Sequence, residues 1–263
     1  MLKTSPIFAL APLATMASRS VRNVSGFGVT SCGTTTADGT PAGRLAAASA
    51  STARIPAGSP RPPGAPSAVV VPQLVTPHPE TVRALREAIA ASGANAKVGE
   101  VFNTNALLAE ALHHRLADAG LARADRVRMF SITTSADGII LLSVGGEEAV
   151  GTASVTAFLL AARLALPVLA ASLDARPTVG EAAAQLEAMG VRRIALGPCV
   201  IGPEADPAAI EQAAAVVGAK CAAPLGAHGN VVKLISLAYG QVLSHLKPSA
   251  PAESVSAPGG RHQ

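Results

Sequence analysis

Histidine is the side chain of this sequence best suited to bind a metal ion or to accept a proton near neutral pH. Six histidines are present, and five of them lie in stretches with regular hydrophobic patterning: His78, His113, His114, His228 and His245. Their positions relative to the predicted helices and strands decide which of them could take part in chemistry.

Two histidines stand at predicted helix starts. His78 lies between Pro77 and Pro79, where it is either a solvated side chain or a metal ligand that faces a cleft. His228 opens the last helix, where it either bonds nearby backbone or lines a cleft. A helix start disfavours protonation of His228, and the neutral ring is the form that binds metals. His78 and His228 are therefore the candidate metal ligands.

The remaining histidines are given structural roles. His113 and His114 are neighbours, about 100° apart on a helix, and do not have the i, i+4 spacing that places two side chains together. We predict that both lie on a solvated face. His245 is near a helix C-terminus, where a cation is favourable, and is assigned no function.

The acids and cysteines indicate no further site. Glu147 and Glu148 at a predicted helix start satisfy the helix dipole. Cys32, Cys199 and Cys221 are too far apart for a disulfide framework or a Cys-x-x-Cys metal site, so we predict two buried cysteines in strands and one in a leader. The sequence has no phosphate-binding lysine loop, dinucleotide fingerprint or nucleophile elbow.

The elements that must position these side chains alternate between strands and helices, most legibly from residue 191 to 228. There an apolar run that stops at Gly202-Pro203 predicts a buried strand, and Pro207 before an alanine-rich period predicts a helix. The predicted strands are 67–71, 97–102, 139–143, 167–172, 191–201 and 220–224. The predicted helices are 79–91, 107–119, one from the 144–148 loop to about 165, 177–189, 208–217 and a last one from His228 to about 246.

This alternation predicts an α/β fold, a parallel sheet of about six strands with helices on both faces. Ligands of such sheets bind outside the carboxyl ends of the strands. A site is therefore expected among the loops 72–78, 144–149, 172–177, 202–207 and 225–229. Gly145, Gly146 and Glu204 lie in these loops and are candidate cleft-lining residues.

Composition excludes several classes of function. The 263 residues are 49% apolar and 14% charged, with one tyrosine, no tryptophan and a net charge of +4. Few aromatic rings and scattered arginines argue against nucleic-acid binding, and no apolar run is long enough to cross a membrane. Residues 1–67 and 248–263 are predicted to be a disordered leader and tail, and Pro12 interrupts the one stretch that resembles an export signal, so a cytoplasmic protein is expected.

Between Ala106 and Gly240 the chain contains ADGIILLSVGGEEA, RPTVGEAAAQLEAMGVRRIALGPCVIGPE and AAPLGAHGNVVKLI. These stretches resemble the second half of the two-domain sirohydrochlorin chelatases of the cobalamin-biosynthesis type found in actinobacteria. The stretch SAVVVPQLVTPHPETVRALREAI resembles the opening strand and first helix of that family. The resemblance covers roughly two thirds of the chain.

The resemblance implies a class II chelatase fold, in which two α/β lobes face each other across a cleft. It also implies insertion of Fe²⁺ or Co²⁺ into a tetrapyrrole, with the metal as a substrate and no permanently bound cofactor. In the family a histidine after the first strand and another after the third hold the metal. Here Gln73 and Val144 occupy the position of the first histidine in the two halves, and the segment for the second is missing. One truncated lobe at 68–130 and one complete lobe at 137–247 are therefore expected.

Three functions remain open on this basis. The chain is either a chelatase-like protein of siroheme or cobalamin biosynthesis whose metal ligands have moved to His78 or His228, or a non-catalytic α/β module that binds a metal, a tetrapyrrole or a partner chain. A site made from both histidines requires them to meet across one cleft. A single sheet could not form two facing lobes, so an active form would need a homodimer to complete its cleft. An unrelated α/β binder of small molecules is a third reading.

Overall fold

The structure, a computed structural model, describes residues 50–54, 64, 66–123, 135–202 and 204–246. In these residues the strands are β1 (Ala50–Arg54), β2 (Ala68–Pro72), β3 (Ala96–Val98), β4 (Gly138–Ser143), β5 (Val168–Ser172), β6 (Ile194–Pro198) and β7 (Lys220–Cys221). The helices are α1 (Pro79–Ala91), α2 (Ala106–Asp118), α3 (Gly146–Leu164), α4 (Val179–Ala188), α5 (Pro207–Val216) and α6 (Gly229–Leu246).

The strands form two sheets. The first has the order β1-β2-β3, with β1 antiparallel and β3 parallel to β2. The second has the order β5-β4-β6-β7 and is parallel throughout. The connections between parallel strands are helical, and such crossovers cover the faces of the sheets.

The alternation of side chains along the central strands shows how the two sheets share one core. Val71 of β2 and Leu141 of β4 belong to the same hydrophobic cluster, together with buried side chains of α2, α3 and α6. Because successive strand residues point to opposite faces, their neighbours pack elsewhere. Val70 packs with α1, and Leu142 packs with α4 and α5. The molecule is therefore layered, with α2, α3 and α6 in the cluster that both sheets share.

Local sequence explains where the helices begin. Thr178 and Glu181 form a capping box at the start of α4, in which each side chain accepts a hydrogen bond from the backbone N–H of the other residue. At α5 the Asp206 side chain accepts from the N–H of Ala208, and Pro207 supplies a first-turn residue that needs no donor. These caps place the helix starts at the carboxyl ends of the preceding strands.

The structure confirms the α/β class, with helices flanking parallel strands. The prediction of one sheet of about six strands is wrong, because helices that pack against both sheets fill the space through which a continuous sheet would run. The strand β1 lies in the segment predicted to have no element, since its backbone pairs with β2 along all five residues and composition does not reveal pairing.

Other expectations fall outside the described residues, among them the rest of the predicted leader, the connection 124–134 and the tail 248–263. The boundary between the two predicted lobes also stays a prediction. Among the described residues, none of the helices is both long enough and apolar enough to span a membrane.

Candidate functional site

A cleft of about 1070 Å³ lies between α1 and β3 on one side and the C-terminal half of α6 on the other. The ionisable groups that line it are His78, Arg86, Lys97, Glu100, Glu148 and His245. Ligand-binding clefts have volumes of about 300–1,000 Å³, so this one could hold a ligand as large as a macrocyclic cofactor.

The elements of the first sheet position this cleft. The loop after β2 leads to His78 and into α1, and the residues after β3 form the adjacent wall, so the cleft lies at the carboxyl ends of two parallel strands. Gly99 lies beside α6, where an added Cβ would make an ordinary van der Waals contact with Val242 Cγ2 at 3.4 Å. The predicted loop 72–78 thus contributes to the cleft.

The imidazole of His78 is hydrogen-bonded to Thr81 through its Nδ1. Its Nδ1 lies 2.9 Å from the Thr81 hydroxyl and accepts a 3.4 Å hydrogen bond from the Thr81 backbone N–H. Thr81 is buried, so this support is fixed by the packing of α1. With Nδ1 occupied by Thr81, the nitrogen left for a ligand is Nε2. Metal-binding histidines commonly donate their second ring N–H to a partner, and here the Thr81 hydroxyl is the group that could accept it.

Two cations of the cleft lack an acidic partner. Among the residues that the structure describes, neither Arg86 nor Lys97 forms an ion pair, whereas Arg83, one turn away on α1, pairs with Glu87 at 3.8 Å. The sequence alone singles out neither Arg86 nor Lys97, because a helical pattern shows which face leaves the core but not which neighbour stands opposite.

The two positions that the family resemblance assigns to histidine have other surroundings here. Val144 packs against the hydrophobic cluster on the α4 and α5 side of the second sheet. Gln73 is half-buried in the loop after β2. Neither side chain has a group that accepts a proton near neutral pH.

The loops after β2 and β4 contact each other directly. The Thr76 hydroxyl donates to the Val144 carbonyl at 3.0 Å. Gly145 has a φ of 121°, and a Cβ placed on it would lie 2.3 Å from the Pro77 carbonyl oxygen. Only glycine permits this approach, which joins the loop of the candidate site to the second sheet.

The start of α3 is occupied by a carboxylate of the chain itself. Asp174 accepts hydrogen bonds from the backbone N–H groups of Gly145 and Gly146 and from the Ser172 hydroxyl, at 3.0, 3.2 and 2.6 Å. Burial raises the pKa of this carboxyl, but these hydrogen bonds outweigh it and the net pKa is lowered. The backbone N–H groups of Gly145 and Gly146, which could otherwise bind an anionic ligand, thus already have an acceptor. The role of Gly145 and Gly146 as cleft-lining residues stays a prediction.

Glu204 is also turned inward. Its carboxylate accepts from the N–H groups of Ile201 and Gly202 at 3.0 and 2.7 Å, and desolvation by burial raises its pKa. Cys199 nearby is fully buried, and burial together with the Glu204 charge raises its pKa to about 12. The prediction of two buried cysteines in strands holds in part: Cys199 is buried but follows the end of β6, and Cys221 is in β7 but only half-buried. The buried Cys199 thiol is unreactive near neutral pH.

His228 contacts α2. Its Nδ1 accepts from the Asn230 N–H at 3.1 Å, and its Nε2 lies 3.2 Å from Nδ1 of His114. Because a backbone N–H can only donate, the neutral His228 ring carries its proton on Nε2 and donates it to His114. Burial, His114 and Arg115 lower the pKa of His228. The predicted backbone contact of His228 is present, but the structure gives His78 and His228 different neighbours.

The prediction that His113 lies on a solvated face is wrong, since the residue is 2% exposed. Its Nδ1 accepts from Arg163 Nε at 2.8 Å, and its Nε2 lies 2.5 Å from the Arg123 carbonyl oxygen. The helix α3 covers this face of α2, and the two hydrogen bonds replace those lost to water. In the described residues no group of three or more histidine, cysteine or acidic side chains is arranged to hold a metal ion.

Comparison with known proteins finds similarity among solved structures. No protein-family model matches the chain, and no curated protein does. The solved structure of SirB from Bacillus subtilis with Fe³⁺ is similar to it at 15% sequence identity and a TM-score of 0.49, over 66% of this chain and 70% of that chain. An identity and a score this low carry no argument about what the chain does.

Proposed function

We propose that this chain is a sirohydrochlorin chelatase-like protein that binds a tetrapyrrole in the cleft beside His78 and presents that histidine to a Co²⁺ or Fe²⁺ substrate. The observation that carries the proposal is the imidazole of His78, supported by Thr81 in a cleft that contains the unpaired cations Arg86 and Lys97. The sequence resemblance described above supplies the class of ligand.

The geometry of His78 suits a metal ligand. When Nε2 binds a metal, the ring proton resides on Nδ1, and the Thr81 hydroxyl at 2.9 Å can accept it. The hydroxyl can donate to Nδ1 or accept from it, so it supports the ring in either tautomer. The weaker 3.4 Å contact with the Thr81 N–H is the only one lost.

The charges of the cleft suit a polycarboxylate macrocycle on one wall. Arg86 and Lys97 can each donate hydrogen bonds to ligand carboxylates, and charge-assisted hydrogen bonds are about twice as strong as neutral ones. Glu100 and Glu148, which also line the cleft, repel carboxylates. The acidic substituents are therefore expected beside Arg86 and Lys97.

A second candidate is binding without metal insertion. It is favoured by Gln73 and Val144, which cannot replace the family histidine, and by the absence of a three-ligand group in the described residues. In this case His78 contacts the bound macrocycle but does not accept protons from the pyrrole nitrogens, and no metal is inserted.

The test is an anaerobic absorbance assay with sirohydrochlorin and Co²⁺, comparing the wild type with His78→Ala and with His114→Gln, which changes a histidine outside the cleft. An insertion rate above the non-enzymatic background that is lost in His78→Ala and kept in His114→Gln supports the chelatase. A bound macrocycle with a background rate supports the second candidate. No binding of sirohydrochlorin contradicts both.

The basic wall is tested separately by equilibrium titration of sirohydrochlorin. Arg86→Ala is expected to weaken binding about tenfold, because it removes one charge-assisted contact worth roughly 1.5 kcal/mol. Arg83→Ala is the matched control, since this arginine lies on the same helix but pairs with Glu87 outside the cleft lining. Equal effects of the two substitutions would remove Arg86 from the binding site.

A further inference from the structure

We propose that His114 and His228 bind one divalent transition-metal ion at a site separate from the cleft. This site lies beyond the proposed function, since neither residue lines that cleft. His228 precedes the first residue of α6, whereas the cleft contacts begin at Ala238 on the same helix. At 1.5 Å per residue, the two sites are about 15 Å apart along the helix axis.

The distance between the two rings fits a shared cation. His114 Nδ1 and His228 Nε2 are 3.2 Å apart, and the rings are tilted by 48°. Two imidazole nitrogens bound to one tetrahedral ion at 2.0–2.1 Å would be about 3.3 Å apart. An ion can therefore bridge the two nitrogens without changing their separation, but it would lie about 1.2 Å off the line between them, so both rings would have to turn toward it. Imidazole pairs favour Zn²⁺, Cu²⁺, Ni²⁺ and Co²⁺ over Mg²⁺ or Ca²⁺.

Acidic residues of α2 stand beside the pair. Glu110 and Asp118 are one turn before and one turn after His114 and share its face of the helix. Both lie near enough to His228 to favour its charged form. The Asp118 side chain is 71% exposed and can rotate toward an ion, although Arg115 is 3.9 Å away from it. The remaining ligands are therefore a carboxylate that rotates inward or water.

The charge of Arg115 opposes a cation beside His228, but the guanidinium is held in place by the backbone before His228. Its Nε and Nη2 donate to the Leu225 carbonyl at 3.3 and 2.6 Å. These contacts tie the loop before His228 to α2, so they also hold the two histidines in register.

Metal binding has an identifiable cost at the start of α6. With a metal on Nε2, the proton of the neutral His228 ring moves to Nδ1, and the Asn230 N–H loses its acceptor. No proton is released in this step. The Asn230 side chain keeps its own 3.1 Å hydrogen bond to the Leu107 carbonyl, so the helix start remains attached to α2.

The experiment is isothermal titration calorimetry of the full chain, without a histidine tag, with Zn²⁺ alone. The variants are His114→Gln, and His228→Asn, whose side-chain oxygen can still accept from the Asn230 N–H and so preserves the helix start. Arg83→Ala, on the exposed face of α1 and outside both sites, is the matched control, and His78→Ala tests whether the ion lies in the cleft instead. Unfolding midpoints measured by circular dichroism identify any variant that fails to fold, and only folded variants are compared.

We expect the wild type and Arg83→Ala to bind Zn²⁺ at this site with the same affinity, and His114→Gln and His228→Asn to bind at least about tenfold more weakly. Zn²⁺ should also accelerate hydrogen exchange of the Asn230 amide. Equal binding by the wild type and both pair variants would overturn the proposal. So would loss of binding in His78→Ala alone, which would put the ion in the cleft. Because no tetrapyrrole is present, these results are independent of the chelatase assay.

Discussion

Asp174 shows at the scale of one residue how this chain satisfies a position that other α/β proteins leave to a ligand. The carboxylate lies on the first backbone N–H groups of α3, where the helix dipole favours a negative charge. An external anion would have to displace it and would gain little from doing so.

Replacing Asp174 by alanine is expected to lower the free energy of unfolding by about 1 kcal/mol, the usual cost of losing a helix-start acceptor. The pKa of the carboxyl is lowered in the folded state, so its contribution is present above the unfolded pKa near 4 and is lost as the pH falls through the folded value. Urea unfolding between pH 7 and pH 3 measures this. Asp174→Asn, which keeps an acceptor but does not titrate, should lose less stability than the wild type over that window. Parallel pH profiles would contradict the assignment.

The histidines show what residue types and spacing can reveal about a site. The positions of His78 and His228 at helix starts were predictable, because prolines and glycines mark those starts. Their partners were not. Whether His113 is buried depends on α3, which follows it in the chain by more than twenty residues, and the Arg163 and Arg123 contacts have no local sequence signal.

At the scale of elements, Gly145 is the point where the loops after β2 and β4 meet. Gly145→Ala is expected to destabilise the protein by about 2 kcal/mol, because the added Cβ would collide with the Pro77 carbonyl and the residue has a positive φ. Gly151→Ala in α3 is the control. Its Cβ would meet nothing within 4 Å, so this substitution should stabilise by roughly 0.5–1 kcal/mol. Thermal unfolding of both variants measures the difference, and a neutral Gly145→Ala would show that the two loops are not held together.

The close approach of Gly145 to the Pro77 carbonyl also affects His78, which immediately follows Pro77 and lies five residues after Gln73. A Gly145→Ala variant that folds should therefore also alter ligand binding in the cleft.

Helices were predicted more closely than strands, for a physical reason. The prediction for α1 coincides with its observed bounds, because Pro79 and the turn after Ala91 are local signals. The predicted strand 97–102 shortens to β3, and 220–224 shortens to β7. β3 pairs with three residues of β2 and β7 with two of β6, although both neighbours have five, and the point at which pairing stops has no local sequence signal.

At the scale of the whole molecule, the sequence predicted layers of strands and helices, but it did not predict that the strands form two sheets instead of one. Periodicity shows that a strand is buried on both faces, as the continuous apolar run of β4 does. It does not show whether β2 joins β4 or packs across from it. That choice depends on α2 and α6, which contribute side chains to the core that β2 and β4 share.

This shared core predicts that the two sheets unfold together. Leu112 of α2 is 2% exposed and lies in the cluster that contains Val71 of the first sheet and Leu141 of the second. Leu112→Ala should cost about 2–5 kcal/mol, and it should lower the hydrogen-exchange protection of β2 and β4 amides by the same free energy. The fragment 137–247 lacks both α2 and β2, which leaves part of that cluster exposed. It should therefore show no cooperative urea transition by circular dichroism, a suitable probe because the chain has no tryptophan. A fragment that unfolds at the midpoint of the full chain, or a Leu112→Ala variant that loosens only the second sheet, would establish two independent lobes instead of one folding unit.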